Sequence, residues 1–194
     1  MATANKVKFG LKNCYFAVAS FDDDGNATYE TPVKMPGAVS LSLDANGENE
    51  NFYADDGVYY VIGNNSGYEG DLELAMIPES FLTDVLGEIT DANGVLIESA
   101  ANTDQVHFAL LFEFSGDQNK IRHVFYNCTA SRPSIEGQTN EDTKEVKTET
   151  ISISAAALPN DTAYVKGKTA SGTDSTTYDG WYSAVYVPSV TTAS

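Results

Sequence analysis

Lysine and arginine are scarce in this chain: 11 stand against 28 aspartates and glutamates, giving a formal net charge of −17. That shortage argues against a protein that grips nucleic acid by neutralising phosphates, because such binding needs clustered cations. Cysteine is scarcer still. Cys14 and Cys128 both fall inside β-patterned runs, so they read as small core side chains rather than a disulfide framework. There is no run of 18 apolar residues, and residues 1–11 are too polar for the core of a secretory signal. No membrane partner is therefore expected, and synthesis in a cytoplasm is.

Catalytic and metal-binding patterns are lacking too. The two histidines, His107 and His123, lie inside strand-like runs, with neither a Gly-x-Ser-x-Gly turn nor a His-Glu-x-x-His spacing nearby, and read as structural or interface residues. The acidic run at 22–26 suggests a calcium loop, but its sixth position is Ala27 where Gly is needed and its twelfth is Val33 where Glu is needed. It reads as a turn. Glu69, Asp71 and Glu73 are spaced two apart, which does not oppose two carboxyl groups across a sugar bond. No glycine-rich phosphate loop occurs. The expectation is a protein without enzymatic activity, cofactor or metal.

What the sequence has in quantity is acid and a two-residue hydrophobic period. The acidic surplus fits either solubility with charge repulsion between copies or a surface held near a polyanion without adhering, and composition leaves both open. Length favours one domain spanning 1–194. Alternation broken by turns every ten or so residues points to a mainly all-β protein of sandwich type.

A first strand is expected over residues 13–20 and a hairpin partner over 27–31. Residues 37–44 alternate cleanly, with Val39, Leu41 and Leu43 on one face and Ser40, Ser42 and Asp44 on the other. Residues 67–76 do the same, setting Tyr68, Leu72, Leu74 and Met76 against Glu69, Asp71 and Glu73. In residues 145–155, Ile151, Ile153 and Ala155 oppose Thr148, Thr150, Ser152 and Ser154. Residues 120–131 form a fourth such strand through Asn127, Thr129 and Ser131. Between these, 89–98 reads as a hairpin through Asn93-Gly94 and 105–114 as a strongly apolar strand.

One short helix is expected over 79–86, where Phe81/Val85 and Leu82/Leu86 make an apolar stripe after Pro78, with Gly87 as the residue past its end. Residues 45–66 are different in kind: rich in Asn, Gly and acids, they carry Phe52, Tyr53, Tyr59 and Tyr60 around Asp55-Asp56-Gly57, a hairpin with its tip at Asp56-Gly57. Compact domains rarely keep so long a connection without using it. A weaker strand is expected at 164–168, a mobile Ser/Thr/Gly stretch at 169–177 and a last strand at 181–187, in a flexible region 169–194.

These blocks, taken together, resemble the major tail proteins, or tail tube subunits, of long, non-contractile-tailed phages of Gram-positive hosts. The matching stretches are residues 6–13 (KVKFGLKN), 36–43 (PGAVSLSL), 52–56 (FYADD), 67–74 (GYEGDLEL), 108–114 (FALLFEF), Arg122-His123 and 126–133 (YNCTASRP). They run in order through about residues 5–155, with a looser echo at 181–186.

The resemblance implies a β-sandwich with one flanking helix, six copies per ring, and a lumen lined by a continuous barrel to which each subunit lends a sheet. On that basis the expected lumen-facing residues are Ser40, Ser42, Asp44, Glu69, Asp71, Glu73, Asn127, Thr129, Ser131, Thr148, Thr150, Ser152 and Ser154. Residues 45–66 would stack rings through Phe52, Tyr53, Asp55, Asp56, Tyr59 and Tyr60, and residues 1–12 would form an arm.

The implied partners are further copies of the chain, a tape measure protein, a tail terminator, a distal tail protein, and genomic DNA passing without tight binding. The implied location is the virion tail, after assembly in the host cytoplasm. The competing reading, drawn from 11 tyrosines and the aromatic loop, is a β-sandwich module that binds a receptor or carbohydrate.

Overall fold

The structure is a computed structural model describing residues 10–47, 50–54, 56–62, 65–116, 120–135 and 147–188, with the backbone alone at 50–52, 58, 61 and 62. Expectations placed on arm residues 1–9, Asp55, the Phe52 side chain and residues 189–194 lie outside it.

The strands follow the alternation. They are β1 (Leu11–Phe21), β2 (Ala27–Tyr29), β3 (Val33–Met35), β4 (Ala38–Ala45), β5 (Glu50–Ala54), β6 (Gly57–Ile62) and β7 (Tyr68–Leu74). After helix α1 (Glu79–Asp84) come β8 (Ile89–Thr90), β9 (Leu96–Ile97), β10 (His107–Phe114), β11 (Arg122–Ala130), β12 (Glu149–Ala156) and β13 (Lys166–Lys168), then helix α2 (Ser175–Gly180). One antiparallel sheet runs β2-β1-β10-β11-β12-β7-β4, with β3 also paired to β1 and β13 to β11. The β5–β6 and β8–β9 hairpins are separate two-stranded sheets.

Connectivity forces this sheet to curl. β3 lies on the outer edge of β1 and β4 on the far edge of β7, six strand spacings away, or about 29 Å if flat. Only Pro36 and Gly37 join them, so the two edges must come together. Gly37 turns with φ 80, where a Cβ would lie 3.0 Å from the Ala75 side chain. β4 accordingly packs against β1, although no hydrogen-bonded ladder joins the two among the described residues. The result is a sandwich-like sheet rather than a closed barrel.

The inside of the curl is the main core, with Phe16, Met35, Leu72, Leu74, Phe108, Leu110, Ile151 and Ile153 enclosed together. α1 closes it. Phe81, fully buried, meets Phe16 at 5.1 Å and Phe108 at 5.5 Å, both edge to face. The expected stripe is realised: Val85 is buried beside Phe81, Leu82 and Leu86 flank them, and Gly87 follows with φ 74. The 22–26 run is a turn in which Asp22 Oδ1 accepts from the backbone N–H of Asp24 and Asn26 at 3.0 and 2.8 Å.

Three sequence expectations are corrected. First, Val39 is 50% exposed instead of facing the core, because the β4–β7 register slips between Ala38 and Ser40 and Ala38 takes the inward place. Second, residues 181–187 form no strand, and 175–180 form a second helix whose first turn is capped by Asp174, which accepts from Thr176 N–H at 2.9 Å.

Third, the segment 169–188, read as flexible, is anchored to the sheet at two points: Thr169 and Trp181 are each 3% exposed, while most of the residues between and after them are exposed or half-buried. Trp181 joins Leu158, Tyr164 and Tyr182 in covering Ala17, Ala109, Leu111, Val124 and Tyr126 on the outer side of the sheet. β10 is thereby buried on both faces.

Candidate functional site: an acidic sheet face and a tyrosine hairpin

The carboxy-terminal cover extends over β1, β10 and part of β11 and leaves the outer side of β12, β7 and β4 open. On that open half, residues from successive strands line up in rows. Ser40 pairs with Glu73 and Glu73 with Thr150; Ser42 pairs with Asp71 and Asp71 with Ser152. The third row runs Asp44, Glu69, Ser154 and Thr129. The acids of β7 thus sit on the middle strand, Asp71 and Glu73 with hydroxyl-bearing side chains on either side and Glu69 between Ser154 and Asp44.

Several hydroxyls are bonded to the acids. Ser40 Oγ donates to Glu73 Oε2 at 2.7 Å, Thr148 Oγ1 to Glu73 Oε1 at 2.5 Å, and Ser152 Oγ to Asp71 Oδ1 at 2.8 Å. Bonds from Thr148 and Ser40 hold the Glu73 carboxyl below its usual 4.5 by favouring the ionised form. Asp44 and Glu69 are like charges directly opposite each other, an arrangement that destabilises a sheet. Among the described residues no salt bridge engages these acids.

Most of the expected face is therefore assembled by the register. Thr148 lies just before β12, and Ser131 just after β11, where its N–H bonds Ser152 O at 2.9 Å. Asn127 is the correction. It is only 6% exposed, because Nδ2 donates to Ala157 O at 2.8 Å and Oδ1 lies 2.7 Å from His107 Nδ1. His107 of β10 and Ala157, just past β12, enclose an amide that alternation alone set on the open side.

Sequence reasoning missed a second polar cluster, around Glu113, which is 4% exposed. The sole signal was one acid inside the apolar run 108–114. Of the histidines, His107 bonds Asn127 as above and packs edge to face on Phe21 at 5.3 Å, while His123 stacks on Phe112 at 5.1 Å.

The 45–66 segment forms the expected hairpin, with one shift: Ala54 pairs with Gly57, so the turn lies one residue earlier and holds Asp56 at φ 65. Tyr53, Tyr59 and Tyr60 are 66%, 72% and 64% exposed. Tyr59 is the extra residue where the β5–β6 register slips, between Tyr60 opposite Phe52 and Val58 opposite Tyr53. An isolated two-stranded hairpin is marginal in water.

A curled sheet with one wet acidic half-face and an unsupported aromatic hairpin defines a structural subunit with surfaces suited to assembly. The model of the phage tail tube protein family matches residues 3–182, and the chain belongs to that family. It is a structural protein of the phage virion tail, and membership implies self-assembly into a tube with other tail components. No curated protein matches the chain. Among solved structures, a chain of the anti-feeding prophage baseplate, determined by cryo-EM and six-fold symmetrised, aligns with 89% of this chain and 100% of its own. The two chains are 9% identical and superpose with a TM-score of 0.43.

Proposed function

We propose that six copies close into a ring whose lumen is lined by the open β12-β7-β4 face, extended by Thr129 and Ser131 of β11, and that rings stack through the β5–β6 hairpin into a DNA conduit. The observation that carries this reading is the row Glu69, Asp71 and Glu73 on the uncovered half of the sheet. Repeated around a ring, these carboxylates repel phosphates over about 8 Å at physiological salt. A cationic wall would instead hold DNA by releasing counterions, and transit would stall.

Contact around the ring is heterologous and closes, whereas stacking along the axis is open-ended. Tube length then needs an external ruler, the role of a tape measure protein, with a tail terminator and a distal tail protein at the two ends. Subunits assemble in the cytoplasm of a Gram-positive host, without catalytic function. Pairing of edge strands between neighbours removes the free edges of β4 and β2.

Cryo-EM of assembled tubes tests the wall: the three carboxylates are expected inside, and finding them on the outer surface refutes the proposal. Deleting residues 49–60 tests the hairpin, with a folded subunit that makes no tubes as the expected result. Normal tubes from that deletion would overturn the stacking role.

A further inference from the structure

The chain holds two Asn-Gly pairs, Asn46-Gly47 and Asn93-Gly94, and all four residues are exposed. An Asn before Gly carries a built-in reaction: with no side chain on the following residue, that residue's backbone nitrogen can reach the Asn amide carbon with little steric hindrance. Local geometry decides whether the reaction runs, and the two pairs are held differently.

Asn93 is tethered. Its Nδ2 donates to Asp91 Oδ2 at 3.2 Å and its own N–H to Asp91 Oδ1 at 2.8 Å, while the Gly94 N–H that would have to attack donates to Asp91 O at 3.1 Å. Side-chain amide and nucleophile are both engaged by one aspartate, so ring closure must first break hydrogen bonds at each.

Asn46 is held through its backbone: its N–H donates to Gly67 O at 2.8 Å and its carbonyl accepts from Ser66 N–H at 2.9 Å. Among the described residues neither its side-chain amide nor the Gly47 N–H makes a hydrogen bond. The Ser66 bond is the last of that ladder before the hairpin and must open for Gly47 N to swing toward Asn46 Cγ; ladder ends open at low cost. Gly47 has φ 132, a conformation that a residue with a Cβ rarely adopts, so the bend needs the same glycine that leaves the nitrogen open to reaction.

We infer that Asn46 is a site of spontaneous deamidation to isoaspartate, and that the conversion retires free subunits from assembly. The Gly47 nitrogen bonds to Asn46 Cγ, the Cγ–Nδ2 bond breaks, and ammonia leaves carrying the former Gly47 amide proton, giving a cyclic imide. Water then opens the imide. Attack at the main-chain carbonyl carbon leaves the chain running through Cγ as isoaspartate, with an extra backbone carbon and a free carboxylate; attack at Cγ gives aspartate.

Asn46 follows Ala45 at the end of β4 and leads to β5, so the lengthened backbone and the new charge fall at the foot of the hairpin, two residues from the Asp44–Glu69 pair. The added atom breaks the register with Ser66 and Gly67, and a third carboxylate beside two others adds repulsion. This consequence rests on the stacking role proposed above; the modification does not.

The test incubates the wild-type chain as free subunits in warm, mildly alkaline buffer and quantifies each Asn-Gly peptide by mass spectrometry, with isoaspartyl methyltransferase marking isoaspartate. Product at Asn46 is expected roughly ten or more times faster than at Asn93, and the rates should converge in urea, where the Asp91 bonds are lost. Equal native rates, or a faster Asn93, overturn the site.

Subunits carrying isoaspartate at position 46 separate by anion exchange through their added charge and are expected to lose tube formation, while an aged Asn46→Gln chain forms tubes as well as its own fresh sample. Normal tubes from the isoaspartate fraction overturn the assembly claim, as does an equal loss in aged Asn46→Gln, which places the damage elsewhere. Tubes formed by the 49–60 deletion refute stacking itself and leave the comparison of Asn46 with Asn93 standing.

Discussion

Glu113 and Arg122 face each other across the β10–β11 pair, the carboxylate 3.5 Å from guanidinium Nε, with the acid almost wholly enclosed. Asn13 Nδ2 donates to the same carboxylate at 2.8 Å, Tyr182 O–H at 3.0 Å, and Lys12 Nζ lies 3.4 Å away. Arg122 also lies 3.9 Å over the Tyr178 ring and donates to Tyr178 O. One buried acid thus ties the start of the chain, the sheet and α2 together.

Replacing Glu113 by Ala leaves a largely buried guanidinium unpaired and is expected to destabilise the subunit by about 3 kcal/mol or more. Urea unfolding measures this. The single tryptophan, Trp181, sits in the cover that Arg122 anchors, so its emission should shift to the red as that cover loosens.

Phe81→Ala removes the ring that α1 places between Phe16 and Phe108. Loss of apolar transfer plus the remaining cavity predicts a cost of about 3–5 kcal/mol. Thermal unfolding should show a much lower midpoint.

Glu73 predicts the acid response of the open face. Its folded pKa is depressed below 4.5 by Thr148 and Ser40, so the fold favours the ionised form. That contribution is complete above the usual carboxylate range and disappears as pH falls through the depressed folded value. Thr148→Ala together with Ser40→Ala should move the Glu73 titration upward toward 4.5, read by side-chain NMR.

Burial pushes the Cys14 thiol up to about 12 and Cys128 higher still. The thiolate is the reactive form, so neither residue should react with a thiol reagent in the native subunit at neutral pH. Both should react after denaturation, counted by mass. Labelling of native protein at either position would contradict the packing described.

The alternation over residues 40–44, 68–74 and 149–155 sets the acids on one face and the aliphatics on the other, because a strand's side chains alternate regardless of what packs against them; it fails at Val39, beside a register slip, and at Met76, past the end of β7, both of which are exposed. The 45–66 hairpin and the α1 stripe were legible for the same reason: each is signalled by residues close in the chain. Asn127 was not. Its pattern matched Thr129, but His107 and Ala157 enclose it, and neither is a sequence neighbour.

Local residue order alone thus determined that this protein is β-rich, that several strands are two-sided, and that Glu69, Asp71 and Glu73 share a side. Tertiary structure decided which part of the outer surface stays open. Among the described residues, the carboxy-terminal segment crosses back over β1, β10 and β11 and does not cover β12, β7 and β4. Alternation distinguishes the two faces of a strand, whereas coverage depends on where a distant segment lands, and that is set by long-range contacts such as Arg122 with Tyr178.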